Sequence, residues 1–510
     1  MLRSAATVGA ATTSSRVLGY VRDTVIATSF GAGPAADAFF IAFRIPNFLR
    51  RLFAEGAFSQ AFVPVLSEYR STRDPADVRD LIAHTLGTLG LTLLVVALLA
   101  VLTAPLLVWL LAPGFGNDPA RGELTTTLLR ITFWYLPLVS LAAAVGGVLN
   151  TFGRYFTPAL TPLFLNLAMI AAAIWLAPRL DVPVLALAIG VVVGGLLQLL
   201  WQLPTLAATG NLVRPRVSFS HPGVRRILTL MGPGVFGSSV AQINLMFDTV
   251  VASFLVTGSV SWLYYADRLM EFPLGVLAIA FATVILPRLS QQHARGEAAA
   301  FSRTLDWGLR WVVLVGAPAA VALGVLAGPL LGTLFGYGAF DAHSVLMTRQ
   351  ALWAFAPGLL AFMAIKVLAP GYYARQDTRT PVRIGVLSML ANIAITLVLI
   401  WPLKHAGLAA ATSLAAYLNA ILLLRGLLRS GAYRPRPGWA LFGTRVAVAT
   451  AAMAALLWLG AGELDTWLAL GAGGRLARLA IWVAAGVASY GAVLLMLRLP
   501  LAALRHPDSA

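Results

Sequence analysis

The sequence contains no cysteine and very little charge. Of its 510 residues, 11% are charged and 59% are hydrophobic, and the mean hydropathy is +0.83. The absence of cysteine excludes disulfides, thiolate metal sites and cysteine nucleophiles. Soluble domains carry roughly 25% charged residues, so this chain is too poor in charge to cover a water-facing surface, which excludes soluble enzymes, disordered chains and fibrous proteins. The long apolar runs predict an all-α polytopic membrane protein.

Acidic residues are scarcer than basic ones, 20 against 37, and the formal net charge is +17. Such an excess often indicates nucleic-acid binding. Here most basic residues lie in short connectors between apolar runs, which is typical of a membrane protein that follows the positive-inside rule. Nucleic acid is therefore not an expected partner. The first apolar run lacks the short core and cleavage site of a signal peptide, which predicts a retained first helix.

A hydropathy window of about 19 residues predicts about fourteen transmembrane helices. Their approximate spans are 4–30, 35–67, 81–112, 123–152, 157–177, 183–208, 224–256, 260–290, 303–334, 345–373, 380–401, 406–429, 439–460 and 475–498. Alternate connectors are rich in arginine, whereas the others contain little beyond Arg121, Arg179, Lys404 and Arg475. The positive-inside rule places the basic connectors, and with an even helix number both termini, in the cytoplasm.

Short segments recur about 225 residues apart. Asp23-Thr-Val-Ile-Ala27 returns as Asp248-Thr-Val-Val-Ala252, and Thr157-Pro158 returns as Thr380-Pro381. Chance matching in a restricted apolar alphabet is the alternative explanation. The repeat predicts two parallel six-helix lobes, 1–215 and 216–436, followed by two further helices in 437–510. Transporters built from such repeats hold their site between the halves.

Charged residues inside the predicted spans concentrate on helices 1, 2 and 8. They are Arg16, Arg22 and Asp23; Asp37, Arg44, Arg50, Arg51 and Glu55; and Asp267, Arg268 and Glu271. At about 100° per residue, Asp37, Arg44, Arg51 and Glu55 share one stripe of helix 2, whereas Arg50 points away. Hydrocarbon cannot solvate such a stripe, so we expect it to face a wet cavity.

The alternative is that these charges only pair internally and hold helices together, as Asp23 with Arg16 or Glu55 with Arg51 would. Arginine outnumbers the acids on these faces. Surplus guanidinium in a membrane cavity predicts an anionic ligand, and phosphate suits its bidentate fork.

Two weaker patterns concern a cation site and catalysis. Asp248, Asn392, Thr396 and Thr412 offer hard oxygen ligands for a small cation such as sodium; a protonated or hydrogen-bonded Asp248 is the alternative. The segment Gly31–Ala36 resembles a dinucleotide fingerprint but lacks the preceding strand. There is no Walker motif, no nucleophile elbow and no histidine pair at metal-ligand spacing, so we expect no enzyme activity and no other cofactor.

Five segments resemble the MurJ (MviN) lipid II flippases. They are Ser15–Asp23, Asp37–Phe40, Pro46–Pro64, Tyr264–Pro273 and Lys366–Pro381. The resemblance implies a fourteen-helix member of the MOP exporter superfamily in the bacterial inner membrane. Such a protein moves undecaprenyl-pyrophosphate-linked peptidoglycan precursor, lipid II, from the cytoplasmic to the periplasmic leaflet by alternating access. It also implies a lipid-tail groove formed by helices 13 and 14, with the cell-wall synthesis machinery as a further partner.

The resemblance also assigns residues. The family's functional arginines match Arg16, Arg22, Arg51 and Arg268, and its functional aspartate matches Asp37. Asp23, Glu55 and Asp267 complete the predicted substrate-binding set. Asp248 and Asn392 match a sodium site reported in some members, but Thr396 stands where an acid is expected.

Two other functions are alternatives to this one. A drug or cation antiporter of the same superfamily would need a cavity rich in acids and aromatic rings, and the arginine surplus argues against it. A non-transporting scaffold for cell-wall enzymes would not need buried charge at these positions.

Overall fold

The computed structural model describes residues 2–50 and 58–499, without the side chains of 2–8, 10, 12, 233–242 and 276–283. These residues form helices and short turns and contain no strand, which confirms the all-α prediction. The helices are α1 (Leu2–Phe30), α2 (Pro34–Arg50), α3 (Phe58–Thr72), α4 (Pro75–Leu102), α5 (Ala104–Leu111), α6 (Pro119–Thr132), α7 (Tyr135–Thr151), α8 (Phe156–Ala171), α9 (Leu185–Ala208), α10 (Pro222–Ser253), α11 (Ser259–Ala294), α12 (Ala298–Trp311), α13 (Ala317–Val325), α14 (Ala327–Leu334), α15 (Ala342–Phe355), α16 (Gly358–Tyr373), α17 (Arg379–Arg429), α18 (Trp439–Ala461), α19 (Leu464–Leu468) and α20 (Ala472–Met496).

Several predicted spans are broken helices. The predicted span 123–152 corresponds to α6 and α7, and α15 meets α16 at a bend of 42°. Prolines 137 and 357 lie at or just after these breaks, where a missing N–H and a ring clash interrupt the helical ladder. The long α17 contains two predicted spans. A kink separates them at Lys404, whose φ of 50° is not helical.

The outer surface of many helices is apolar. Among the described residues, eight helical stretches are long and apolar enough to cross a bilayer, and the bent pair α15–α16 makes a ninth. Trp401, Trp458 and Leu459 are 84%, 74% and 77% exposed. Side chains this large and this exposed fit a hydrocarbon environment.

The chain divides into two compact units, Met1–Ser261 and Trp262–Ala510. The helix α10 belongs to the first unit because it packs along α3, α4 and α5. The division therefore falls later than the predicted lobe boundary at 215/216, and the lobes stay a prediction based on the sequence repeat.

The core of the first unit lies where α3 meets α4, α7 and α10. Phe62 and Leu66 of α3 are buried against Leu81, Val148 and Ile227 of those helices. This core includes α7, against which the charged helix α2 packs.

The last two long helices of the second unit, α18 and α20, pack on the stretch from Trp311 to Val325. Asp306 anchors the loop that precedes α18. Its carboxylate is 1% exposed and accepts hydrogen bonds from Arg310, Tyr433 and Trp439. At the other end, the Arg475 guanidinium donates to the carbonyls of Gly332, Gly336, Leu468 and Leu470. Both clusters fix α18–α20 to the body of the unit.

Candidate functional site

Arg22 is the most buried of the predicted substrate-binding arginines in the described part of the chain. It is 8% exposed, and its Nε and Nη2 both donate to Oδ1 of Asp23, at 2.9 and 2.6 Å. Its Nη1 donates to Oδ1 of Asn166 on α8 at 3.0 Å. The amide of Asn166 in turn donates to the carbonyl of Ser15. Arg22 is thus held by a neighbouring carboxylate and by a helix that also binds the backbone of α1.

Asp37, in the first turn of α2, is completely buried. One carboxylate oxygen accepts the backbone N–H and the hydroxyl of Ser261, at 2.9 and 2.6 Å. The other accepts the backbone N–H of Gly258 at 2.7 Å and Nη2 of Arg121 at 2.5 Å. Four donors, one of them charged, therefore compensate a carboxylate that has no contact with solvent.

Three connectors of low charge meet at Asp37. They precede α2, α6 and α11, and the last of them turns at Gly258, whose φ of +97° favours glycine. Arg121 is oriented by the ring of Phe115, 3.7 Å from its guanidinium carbon. We call Asp37, Arg121, Gly258 and Ser261 the aspartate latch. The expectation that the whole helix-2 stripe lines a wet cavity is wrong for Asp37, because these groups enclose its carboxylate.

Arg44 follows Asp37 on the same helix face and connects α2 to α10. Its Nη1 donates to the hydroxyl of Thr249 at 2.6 Å, and that hydroxyl donates to the carbonyl of Leu245. Arg51 and Glu55, the remaining members of the stripe, lie outside the described residues.

The other predicted substrate-binding residues lie on α1 and α11. Arg16 is half-buried, two turns before Asp23. Arg268 pairs with Glu271 one turn away at 3.1 Å, and its side chain is 28% exposed. Asp267 precedes Arg268 on α11, in the second unit.

The predicted sodium ligands are spread over both units. Asn392 and Thr396 are buried one turn apart on α17, and the Thr396 hydroxyl has no hydrogen-bond partner among the described residues. Thr412 donates to the carbonyl of Leu408 in its own helix. Asp248 is half-buried on α10 in the first unit. The donor set fits a hard cation, and the site stays a prediction.

The basic connectors carry a second polar cluster that the sequence did not reveal. Asp80 Oδ2 lies 3.3 Å from both His84 Nδ1 and His221 Nε2, and the imidazoles stack. His221 also caps α10, since its Nδ1 accepts the N–H groups of Gly223 and Val224. A neutral His221 then carries its proton on Nε2, which donates to Asp80 and leaves no lone pair for a metal. The cluster is best described as a helix cap.

An exposed ion pair lies at the same end of the first unit. Arg226 Nη1 donates to Glu68 at 2.8 Å, and this hydrogen bond lowers the pKa of the Glu68 carboxyl. The pair connects the end of α3 to the start of α10.

Three residues of the site were missed by sequence reasoning. Arg121, Asn166 and Ser261 are separated in sequence by 84, 144 and 224 residues from the side chains that they bind. In the sequence, Arg121 is only an isolated charge in a weakly charged connector. Its capping neighbour Asp118 marks a helix start, but no local pattern indicates that this helix start reaches Asp37.

Comparisons with known proteins find relatives over nearly the whole chain. A sequence model of the family described as "Lipid II flippase MurJ" matches residues 26–471. A Vibrio cholerae serotype O1 protein named "Probable lipid II flippase MurJ" is 51% identical over 508 residues, which cover 98% of this chain and 96% of the relative. The chain belongs to the MurJ family of lipid II flippases. A Burkholderia cenocepacia member named "Lipid II flippase MurJ" is 43% identical over 461 residues, covering 90% of this chain and 89% of the relative.

Solved structures agree with this assignment. A structure described as lipid II flippase MurJ in an inward closed conformation superposes with a TM-score of 0.80 at 26% identity, covering 95% of this chain and 97% of that chain. An inward-facing multidrug resistance MATE transporter of the MOP superfamily superposes with a TM-score of 0.69 at 15% identity, covering 82% of this chain and 95% of that chain, which shows a shared fold. The predicted family is confirmed, and the chain is a multi-pass membrane protein.

Proposed function

We propose that this protein moves lipid II from the cytoplasmic to the periplasmic leaflet of the bacterial inner membrane by alternating access. The observation that carries the proposal is the arginine-rich charge of α1, α2 and α11, which lie in spans predicted from the sequence, in a chain of the MurJ family. An uncompensated charge in hydrocarbon costs tens of kcal/mol by Born-type solvation. A diphosphate that crosses the bilayer therefore needs a protein cavity that replaces its water shell.

The geometry of Arg22 suits it to bind a diphosphate, and a carboxylate keeps its guanidinium oriented. Its guanidinium faces Asp23 through two nitrogens, which is the approach that a phosphate oxygen would use. Asn166 fixes the third contact. We propose that the diphosphate competes with Asp23 for this guanidinium, and that Arg16, Arg51 and Arg268 complete the clamp. The side chain of Asp23 then repels the product once the clamp opens.

The aspartate latch gives the switch between access states a mechanical element. The latch fixes the turn between α10 and α11 against the starts of α2 and α6 through Asp37. Alternating access needs elements with two discrete arrangements. We propose that this turn leaves Asp37 during the transport cycle and returns to reset it, so Asp37 acts in gating while the arginines bind substrate.

Sidedness follows from the connectors. The basic end of the first unit would face the cytoplasm and the latch would face the periplasm, with both termini cytoplasmic. An inside-negative potential favours outward movement of an anion by about 2.3 kcal/mol per charge per 100 mV. We therefore propose that the membrane potential assists transport, and that cell-wall polymerising enzymes receive the product.

A sodium ion is a proposed second ligand. Asn392 and Thr396 would hold it on α17, with Asp248 and Thr412 as further oxygen donors. If the site exists, Asp248→Asn abolishes the sodium dependence of transport. Unchanged sodium dependence in that variant would contradict the site.

The proposal is tested by complementation of cells depleted of their own flippase. Arg22→Ala is expected to abolish growth, and Arg22→Lys to restore it partly, because lysine keeps the charge but loses the fork. Arg50→Ala is the matched control, since Arg50 Nε binds Asn47 one turn away on its own helix. Membrane protein levels and lipid II binding are measured in parallel. Normal growth of Arg22→Ala at wild-type expression would overturn the clamp.

The antiporter alternative is tested with the same variants. A drug or cation antiporter would bind cationic substrates, and Arg22→Ala would leave or improve that binding because it removes a repelling charge. Loss of lipid II binding without any gain for cations supports the flippase.

A further inference from the structure

One arginine in the first unit lies within a candidate membrane span with no assigned role. Arg130, on α6, belongs to the helical stretch Pro119–Thr151, which is long and apolar enough to cross a bilayer. Its side chain is exposed and has no hydrogen-bond or ion-pair partner in the described part of the chain. A charged residue at such a position is costly and points to a functional partner.

The surroundings of Arg130 form an apolar groove. Together with Arg130, the side chains of Val101, Ile131, Trp134, Ile189 and Val193 line a cavity of about 390 Å³ between α4, α6 and α9. Trp134 is 37% and Val193 43% exposed, so the groove opens toward the outer surface of the helices. An arginine that only reached for interfacial water would need no such groove.

The depth of Arg130 fits a lipid headgroup. The exposed Glu123, which hydrocarbon could not solvate, marks the headgroup level on α6. Arg130 lies seven residues further along the helix, or about 10 Å at 1.5 Å per residue, and its long side chain leans back toward the helix N-terminus. The start of α6 and the start of α9 at Leu185 both follow weakly charged connectors. The guanidinium therefore reaches toward the headgroup region of one leaflet, which is the outer leaflet in the proposed orientation.

The second unit contains the same pair of residues. Arg349 and Trp353 of α15 have the same spacing as Arg130 and Trp134. Each of them follows its counterpart in the first unit by the same number of residues. The Arg349 guanidinium carbon lies 4.6 Å from the centre of the Trp353 ring. Trp353 is 49% exposed, and its Nε1 donates to the carbonyl of Gly324 at 2.8 Å. The repeat thus reproduces an arginine beside an exposed tryptophan, in a second setting.

We propose that the Arg130 groove binds an acidic glycerophospholipid of the phosphatidylglycerol class. The phosphate accepts hydrogen bonds from Arg130, and an acyl chain covers Trp134, Ile189 and Val193. A phosphodiester is the anion that the bilayer itself supplies at this depth, and arginine binds it through charge-assisted hydrogen bonds. Arg349 with Trp353 is the corresponding pair in the second unit.

The test uses the purified full-length protein, titrated with phosphatidylglycerol in phosphatidylcholine nanodiscs and analysed by native mass spectrometry. Arg130→Gln is expected to weaken phosphatidylglycerol binding about tenfold, the loss expected for one charge-assisted contact, and Arg130→Lys to weaken it less. Arg179→Gln is the control, because Arg179 is an exposed arginine near the same end of the unit and donates to the carbonyl of Trp175. Unfolding temperatures confirm that the lipid-facing variants fold.

Three results would overturn the proposal. The first is equal phosphatidylglycerol binding by the wild type and Arg130→Gln. The second is equal retention of phosphatidylcholine and phosphatidylglycerol by the wild type. The third is loss of lipid II binding in Arg130→Gln with phosphatidylglycerol binding intact, which would assign the groove to the substrate.

Discussion

Breaking the aspartate latch should destabilise the first unit in a graded way. Asp37→Asn leaves the Arg121 guanidinium, 7% exposed, without its counter-charge. Removing one partner of a buried ion pair costs about 3–5 kcal/mol. The asparagine amide also turns a donor toward one of the groups that now donate to Asp37. Ser261→Ala removes a single hydroxyl donor, at 2.6 Å from the carboxylate, and should cost about 1.5–3 kcal/mol.

The unfolding free energy, measured in mixed micelles, should therefore fall more in Asp37→Asn than in Ser261→Ala. The double variant Asp37→Asn/Arg121→Gln should be less destabilised than the sum of its single variants, by 0.5–3 kcal/mol, since each single change already abolishes the same ion pair. Asp181→Asn, an exposed carboxylate in the connector before α9, is the control and should stay within about 0.5 kcal/mol of the wild type. If Asp37→Asn matched that control, or if the double variant were strictly additive, the latch would not be a coupled buried pair.

Two further predictions concern the second unit. Arg475→Lys should lower the unfolding free energy by about 3 kcal/mol or more, because an ammonium cannot reach all four carbonyls that the guanidinium binds. Thermal unfolding in detergent measures this loss, and an unfolding midpoint equal to that of the wild type would contradict the prediction. Burial and the nearby Asp306 carboxylate raise the pKa of Tyr433 above its ordinary value of 10.0, so its contribution to stability is complete below that pH and is lost as the pH rises beyond it. Tyr433→Phe should flatten this alkaline decline, and an unchanged slope would show that Tyr433 stays unperturbed.

The helices could be predicted from hydropathy because membrane spans are encoded locally, in about 20 consecutive apolar residues. The kink at Lys404 in α17 was also predicted, because the spans 380–401 and 406–429 end and begin on either side of it. The breaks inside the predicted spans 123–152 and 345–373 were not predicted, because a hydropathy window averages over them. The charged helices were recognisable because arginines 22 and 44 stand out in an apolar background.

The partners of those charges were not predictable from spacing. Periodicity placed Asp37 and Arg44 on one face, correctly, but could not indicate that Arg121 and Ser261 cover Asp37, because these contacts depend on how three connectors meet. The alternative of internal charge pairing matched Asp23 with Arg16, whereas the structure pairs Asp23 with Arg22. Helical faces limit which residues can meet, and tertiary packing decides which of them do.

Transport of labelled lipid II by the purified protein in sealed vesicles tests the central proposal most directly. Flux is expected to rise when an inside-negative potential is imposed across vesicles that hold the protein in its native orientation, since the substrate is an anion. It is also expected to be lost in Arg22→Ala and retained in Arg50→Ala. Unchanged flux in Arg22→Ala at equal protein content would contradict the proposed function. So would the absence of flux with the wild type when a control flippase is active in a parallel assay.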